Sequence, residues 1–262
     1  MRVLSIAATG MSAQQLNVEV IAHNIANSNT TGFKRSRAEF SDLLYQIERS
    51  SSTPTGETGS VVPEGAELGL GARLTSIRSI NIQGPISNTG NQLDVAINGE
   101  GFFQVRNLDG NIAYTRAGTF NTDANGLIVN GDGLPLDPPI TVPADTIGIV
   151  ISKTGEVFAR TAGGTTETSI GQISLSAFAN PAGLHALGGN LFQLTEASGP
   201  ATTANPGTSP MGVLEQGYLE ESNVDPVQEI TELISAQRAY ELNSKVIQAA
   251  DEMAGIVSKG LR

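Results

Sequence analysis

Two stretches with no proline past their first residue stand at opposite ends of this chain, and each carries an apolar residue every seventh position. In residues 3–27 the stripe runs Leu4, Met11, Val18 and Ile25, with Ala7, Gln14 and Ile21 at the intermediate positions. From residue 226 onward it runs Leu233, Tyr240, Ile247, Ala254 and Leu261, with Ala236, Asn243, Ala250 and Val257 between them, for a helix expected over 226–259. Spacings of three and four residues place each set on one face of an α-helix, in the manner of a coiled-coil seam. Helices of those lengths would be about 40 and 50 Å long. Rods of that size exceed what a compact globule of 262 residues encloses. Each is therefore expected to be half of a packing unit, completed by the other terminus and by neighbouring molecules.

Local chemistry marks the ends of both segments. Asp225 can cap the second helix, Pro226 suits its first position, and Gln228 stands where a capping box places Gln or Glu. The first helix runs into Ser28–Gly32, where Asn and Gly tolerate left-handed backbone and Thr and Asn can cap exposed groups. Phe33 follows as an apolar anchor, with Lys34, Arg35 and Arg37 expected to be solvated or to face acidic partners. A second apolar set on the last helix, Leu242, Val246, Met253 and Ile256, implies more than one packing partner. With no intramolecular core large enough to cover them, both helices are expected to fold fully only on assembly.

Between the ends the chain must turn often. Residues 1–45 hold two glycines and no proline, and residues 217–262 hold three glycines and only Pro226; the remaining 25 of the 30 glycines and 11 of the 12 prolines lie between. Short β-rich runs such as "LDVAING", "GFFQVRN", "IAYTRAG" and "IGIVIS" are punctuated by Asn98-Gly99, Asp109-Gly110 and Asn125-Gly126. Asp109-Gly110 is expected at a hairpin tip. Residues 50–66 are polar and rich in Pro and Gly, and read as an extended arm or linker. The fold class expected is α+β, with a terminal helical domain (residues 1–45 plus 217–262), an extended arm (46–72) and a central β-rich domain (73–216).

Composition narrows the chemistry. The absence of cysteine excludes disulfides, thiol catalysis and thiolate metal sites. A net charge of −11 argues against nucleic acid as a partner, because phosphate binding needs a basic face. No apolar run is long enough to span a bilayer as a helix. "VLSIAATGM" lacks the basic region and cleavage site of a secretory signal and reads as mature helix. "NTDANGLIVNGD" (Asn121–Asp132) aligns partly with a calcium loop, but it begins with Asn, ends with Asp and is flanked by strands, so a β-turn explains it equally. The two histidines are far apart: His23 on the first helix, near Glu19, and His185 in a glycine-rich loop. Neither sits in a hydrolase motif, and no catalytic, cofactor or metal residue is expected.

The stretches "NIANSNTTGFKR" (24–35), "LDVAINGEGFFQV" (93–105), "AYTRAGTFNTDANGLIV" (113–129) and "GYLEESNVDPVQEITELISAQRAYELNSKVIQAADEM" (217–253) together resemble the flagellar rod and hook family of bacterial axial proteins. The resemblance implies that the terminal helices form a coiled-coil inner domain around a central channel, with the β-rich domain outside. It implies export through the flagellar type III apparatus without a cleaved signal, and residence in the periplasm-spanning rod of the basal body. Implied partners are further copies in a helical homopolymer, the proximal rod and hook-side axial proteins, and the export apparatus, with no membrane insertion. Chain length, the segment before "GLGARLTSIRSINIQG" and "GYLEESNVD" point to the distal part of the rod, a stiff tube passing motor torque to the hook. Another axial protein of the same family is the alternative, and from a different class a secreted β-rich binding or hydrolytic protein. The subunit-packing residues expected are Leu4, Met11, Val18, Ile21, Asn24, Ile25, Asn27, Thr31, Gly32 and Phe33 at one end. At the other they are Leu233, Gln237, Arg238, Tyr240, Asn243 and Ile247.

Overall fold

A computed structural model describes residues 2–49, 65–107, 109–161 and 167–260. Most of the expected arm over 50–66 lies outside the described residues. Within them the fold is α+β: a helix at each end and a β-rich centre. The chain divides into two compact units, one of residues 1–25, 36–78 and 225–262, the other of residues 26–35 and 79–224.

The first unit holds α1 (Arg2–Ala26), β1 (Ser36–Asp42), β2 (Tyr45–Arg49), β3 (Ala66–Gly69), β4 (Ala72–Ser79) and α2 (Pro226–Gly260). Its strands form two antiparallel or paired ribbons, β1 with β4 and β2 with β3. The described ends of the 46–72 segment are thus strands, consistent with the apolar–polar alternation of "YQIER". On α1 the buried residues are Ala7, Ala13, Val20, Ile21 and Asn24, which are small or branched and let another backbone approach closely. On α2, Glu229 and Ala236 are buried, seven residues apart on one face. Asp225 caps α2 as expected: its Oδ1 accepts from the N–H of Val227 (2.9 Å) and of Gln228 (3.3 Å). The Gln228 side chain turns forward along the helix, its Nε2 donating to Glu232 Oε1 at 3.0 Å, one turn on.

The second unit continues with β5 (Ile86–Asn88), β6 (Val95–Asn98), β7 (Phe102–Arg106), β8 (Ile112–Thr115), β9 (Phe120–Thr122), β10 (Ile128–Asn130), β11 (Thr146–Ile151), β12 (Glu156–Thr161), β13 (Thr168–Gln172), β14 (Leu175–Ala177), β15 (His185–Gly188), β16 (Leu191–Gln193), β17 (Thr202–Ala204), β18 (Val213–Gln216) and β19 (Tyr218–Glu220). Its largest sheet has the order β15-β16-β8-β7-β14-β17. The β7–β8 hairpin closes through Asn107–Asn111, with Asp109-Gly110 at its tip and Arg106 opposite Ile112. His185 belongs to the edge strand β15 instead of a loop, paired with Gln193.

Strand β7 is buried on both faces. Phe103 and Val105 point into the main core with Val95, Phe120, Val157, Leu175 and Leu214, and the Phe103 and Phe120 rings meet edge-to-face at 5.1 Å. Phe102 points the other way, into a smaller cluster with Tyr114 and Phe178. Gln104, on that second face, donates to the Ser176 hydroxyl (2.5 Å) and to Thr203 (3.0 Å), so its burial leaves no amide proton stranded.

Candidate subunit-packing site

The first unit carries the helix pair. Asn24 near the end of α1 uses its whole carboxamide: Oδ1 accepts from Ser36 N–H (2.9 Å), while Nδ2 donates to the Ser36 carbonyl (2.8 Å) and to Glu229 Oε2 (3.1 Å). Fourteen residues back along α1, Gly10 faces Asn243, fourteen residues on along α2. A Cβ added to Gly10 would stand 2.9 Å from the Asn243 amide nitrogen. Equal steps in opposite directions mean that the two helices run antiparallel and in register over about 21 Å.

Several of the residues expected to pack between subunits converge on this pair. Val18 on α1 and Gln237 and Tyr240 on α2 line one groove of about 490 Å³, together with Gln15, Glu19 and Glu241. Ile21 and Asn24 are buried. Leu4, Met11, Val18 and Ile25 are half-buried, as are Leu233, Asn243 and Ile247 on α2, whereas Gln237, Arg238 and Tyr240 are exposed. On α1 full burial falls to the side of the Leu4–Ile25 row, because Ala7, Ala13 and Val20 admit a closer neighbour than the longer side chains do.

The opposite face of α2 is apolar and bare. Val227, Ile230, Ile234, Leu242, Val246, Met253 and Ile256 recur at helical spacing, and four of them are about 60% exposed or more: Val227 (74%), Leu242 (62%), Met253 (59%) and Ile256 (70%). A stripe of this length on a protein surface marks an interaction site.

The second unit carries the other half of the signature. Asn27 and Thr31 are half-buried and Gly32 and Phe33 buried. Thr30 N–H returns to the Asn27 carbonyl (3.2 Å) as the chain leaves the helix. Gly32 has φ +69°, and a Cβ there would lie 2.7 Å from the Arg116 carbonyl carbon, so both conformation and space require glycine. Its N–H donates to the Glu220 carbonyl at 2.8 Å.

Lys34 departs from expectation: it is buried, with its ammonium 2.5 Å from Glu220 Oε1 and 2.9 Å from the Ile82 carbonyl. Sequence reading missed the partner because Glu220 lies 186 positions away. Glu220 also accepts from Arg116 (3.1 Å) and from Gly84 N–H (2.9 Å), and Arg116 donates to the Gly99 carbonyl and sits over the Phe102 ring. Burial pulls the Lys34 ammonium and the Arg116 guanidinium below their ordinary ranges, and Glu220 opposes that pull on both. Beside them Asn223 Oδ1 accepts from Arg35 N–H (2.7 Å), and its amide donates to the Ile80 and Ile82 carbonyls. One polar clamp thus ties residues 32–35, 80–84 and 220–223 together. Glu229 did leave a signal in the sequence, an acid at the heptad position shared with Ala236 and Asn243. Glu220 gave none.

The loop over Asn121–Asp132 satisfies itself. Asp123 Oδ1 accepts from Asn125 N–H (2.6 Å) and Leu127 N–H (3.2 Å), Asn130 Oδ1 accepts from Asp132 N–H and Leu134 N–H, and β9 and β10 pair on either side as a hairpin. These bonds hold the Asp123 carboxyl below the usual range, the Asn125 contact most strongly. Among the described residues no helix is long and apolar enough to cross a membrane.

Signature segments that bind their own backbone, beside long helices with an uncovered apolar face, define a structural subunit of a larger assembly. Residues 4–34 match the flagella basal body rod protein family, residues 96–159 the D1 domain of flagellar hook proteins FlgE/F/G, and residues 215–259 the C-terminal region of flagellar basal body rod FlgEFG proteins. The flagellar basal-body rod protein FlgG of Agrobacterium fabrum is 54% identical over all of both chains, and that of Caulobacter vibrioides 51% identical over 99% of each. FlgG of Bacillus subtilis is 40% identical over 94% of this chain and 93% of its own. The chain belongs to the flagellar basal-body rod protein family and is a structural subunit of the flagellar rod.

Proposed function

We propose that the chain builds the distal part of the rod by self-assembly into a rigid tube that carries motor torque to the hook. The α1–α2 pair would be the axial core, wound as a coiled coil from residues 1–45 and 217–262, with the β-rich domain outside it. The observation that carries this reading is the second apolar stripe of α2, on the face opposite Glu229 and Ala236. A helix with two apolar faces needs two sets of neighbours, and one chain supplies only one. Leu4, Met11, Val18, Ile25, Leu233 and Ile247, half-buried here, would lose their remaining exposure in the tube. Asn24, Asn27, Thr31, Gly32 and Phe33 would set the exit of α1 on which that packing depends.

The partners on this reading are further copies, the proximal rod and hook-side axial proteins that the tube joins, and the flagellar export apparatus. The reading assigns the chain no catalytic role. Purified protein concentrated at neutral pH is expected to grow straight filaments without any ligand, seen by electron microscopy. Hydrogen exchange across 3–27 and 226–259 should be fast in the monomer and slow in the filament. A protein that stays monomeric at high concentration, with slow exchange over both helices, would overturn the proposal.

A further inference from the structure

The self-assembly proposed above leaves open which surfaces of two copies meet. Two features of the helix pair answer each other. The first is the groove of about 490 Å³ lined by Val18 and Tyr240 and by the acidic residues Glu19 and Glu241. The second is the bare stripe of α2, which carries two cations among its apolar residues. Arg238 stands one turn beyond Ile234 and one turn before Leu242, and Lys245 stands next to Val246. Seven residues apart, these cations project within about 20° of each other. Both are exposed, and among the described residues neither makes an ion pair.

We infer that the acidic groove of one copy receives the Arg238–Lys245 stretch of α2 from a second copy. The stripe supplies apolar area to Val18 and Tyr240, and its cations meet Glu19 and Glu241. A guanidinium entering the groove can also lie over the Tyr240 ring, which adds cation–π attraction to the ion pair. Glu241 stands where groove and stripe border on α2, three residues after Arg238 and four before Lys245, while Val18 and Glu19 belong to α1. The two surfaces are not the same patch, so the contact is heterologous. Contacts of that kind propagate from copy to copy instead of closing a two-fold dimer. Charge complementarity also sets direction, because groove against groove would oppose four carboxylates.

Charge reversal tests the pairing with the full chain. Glu19→Lys with Glu241→Lys makes groove and stripe both basic, and Arg238→Glu with Lys245→Glu makes both acidic. Each protein alone is expected to need about tenfold or more higher concentration to form filaments than the unaltered chain, since like charges then face one another. An equimolar mixture should recover assembly, as each protein then offers the surface that the other lacks. All four substitutions in one chain should recover it too. The four side chains are exposed, and an unchanged β-sheet circular dichroism spectrum checks that the β-rich unit of each chain folds. Filaments from either doubly reversed chain at the unaltered concentration, or a mixture as inert as its components, would overturn this contact while leaving self-assembly standing. Failure of the unaltered chain to assemble would instead overturn the proposed function, and this inference with it.

Discussion

Lys34 and Glu220 meet at 2.5 Å with both side chains almost wholly withdrawn from water, at 2% and 0% exposure. The same carboxylate also holds Arg116, so one anion compensates two cations. Glu220→Ala would strand both, and the expected loss of stability is about 3–5 kcal/mol by chemical denaturation. Lys34→Met leaves the Arg116–Glu220 pair intact and should cost less, about 1–3 kcal/mol, because the Ile82 carbonyl and Glu220 Oε1 each lose one charge-assisted bond but keep a second donor, Asn223 and Gly84 N–H respectively. The order of the two losses is the sharper expectation, and a Lys34→Met protein less stable than Glu220→Ala would contradict it.

Asn24 answers a different demand. Its carboxamide satisfies both backbone groups of Ser36 and one oxygen of the buried Glu229. Asn24→Ala removes all three bonds without moving the groups that made them, for an expected cost of about 1–3 kcal/mol. Asn24→Asp keeps the acceptor for Ser36 N–H but sets a second carboxylate against Glu229, and should be the worse of the two at neutral pH. Thermal melts of the assembled variants check this.

The regular parts of the molecule were legible in the sequence because their signals are local. Helix α1 was expected over 3–27 and runs Arg2–Ala26, and α2 was expected over 226–259 and runs Pro226–Gly260. The Asp225 cap and the Asp109-Gly110 hairpin tip also rest on neighbours within four residues. The clamp does not. Lys34 next to Arg35 and Arg37 reads as a solvated basic run, and only the tertiary fold brings Glu220 and Arg116 to it. His185 misled for a related reason, since its glycine-rich surroundings signal a loop while its pairing to β16 makes it a strand.

Acid should loosen the Asp123 turn. Its carboxyl titrates below the ordinary 3.8 because the charged form accepts the Asn125 and Leu127 N–H groups. A folded value below the unfolded one stabilises the folded state fully above about pH 4, and that contribution is lost as pH falls through the folded value. The carboxyl carbon of Asp123 followed by NMR should therefore titrate below an unfolded peptide standard. Asp123→Asn removes a charged acceptor, and its protein should lack that part of the acid dependence. A titration at or above 3.8 would contradict the turn geometry.

Gly10 offers the most direct measure of how closely the two helices approach. The atom that an added Cβ would press upon is the amide nitrogen of Asn243, the end of a side chain that can rotate away. Gly10→Ala also gains up to about 1 kcal/mol of helix propensity, so the melting temperature of its filaments should stay near that of filaments of the unaltered protein. Gly10→Leu cannot be absorbed by one rotation and must push α1 from α2, with an expected cost of about 1–3 kcal/mol. Removing the opposing side chain with Asn243→Gly should return part of that loss, because residues in contact do not act additively. A double variant no more stable than the sum of its single changes would mean that Gly10 and Asn243 do not face each other.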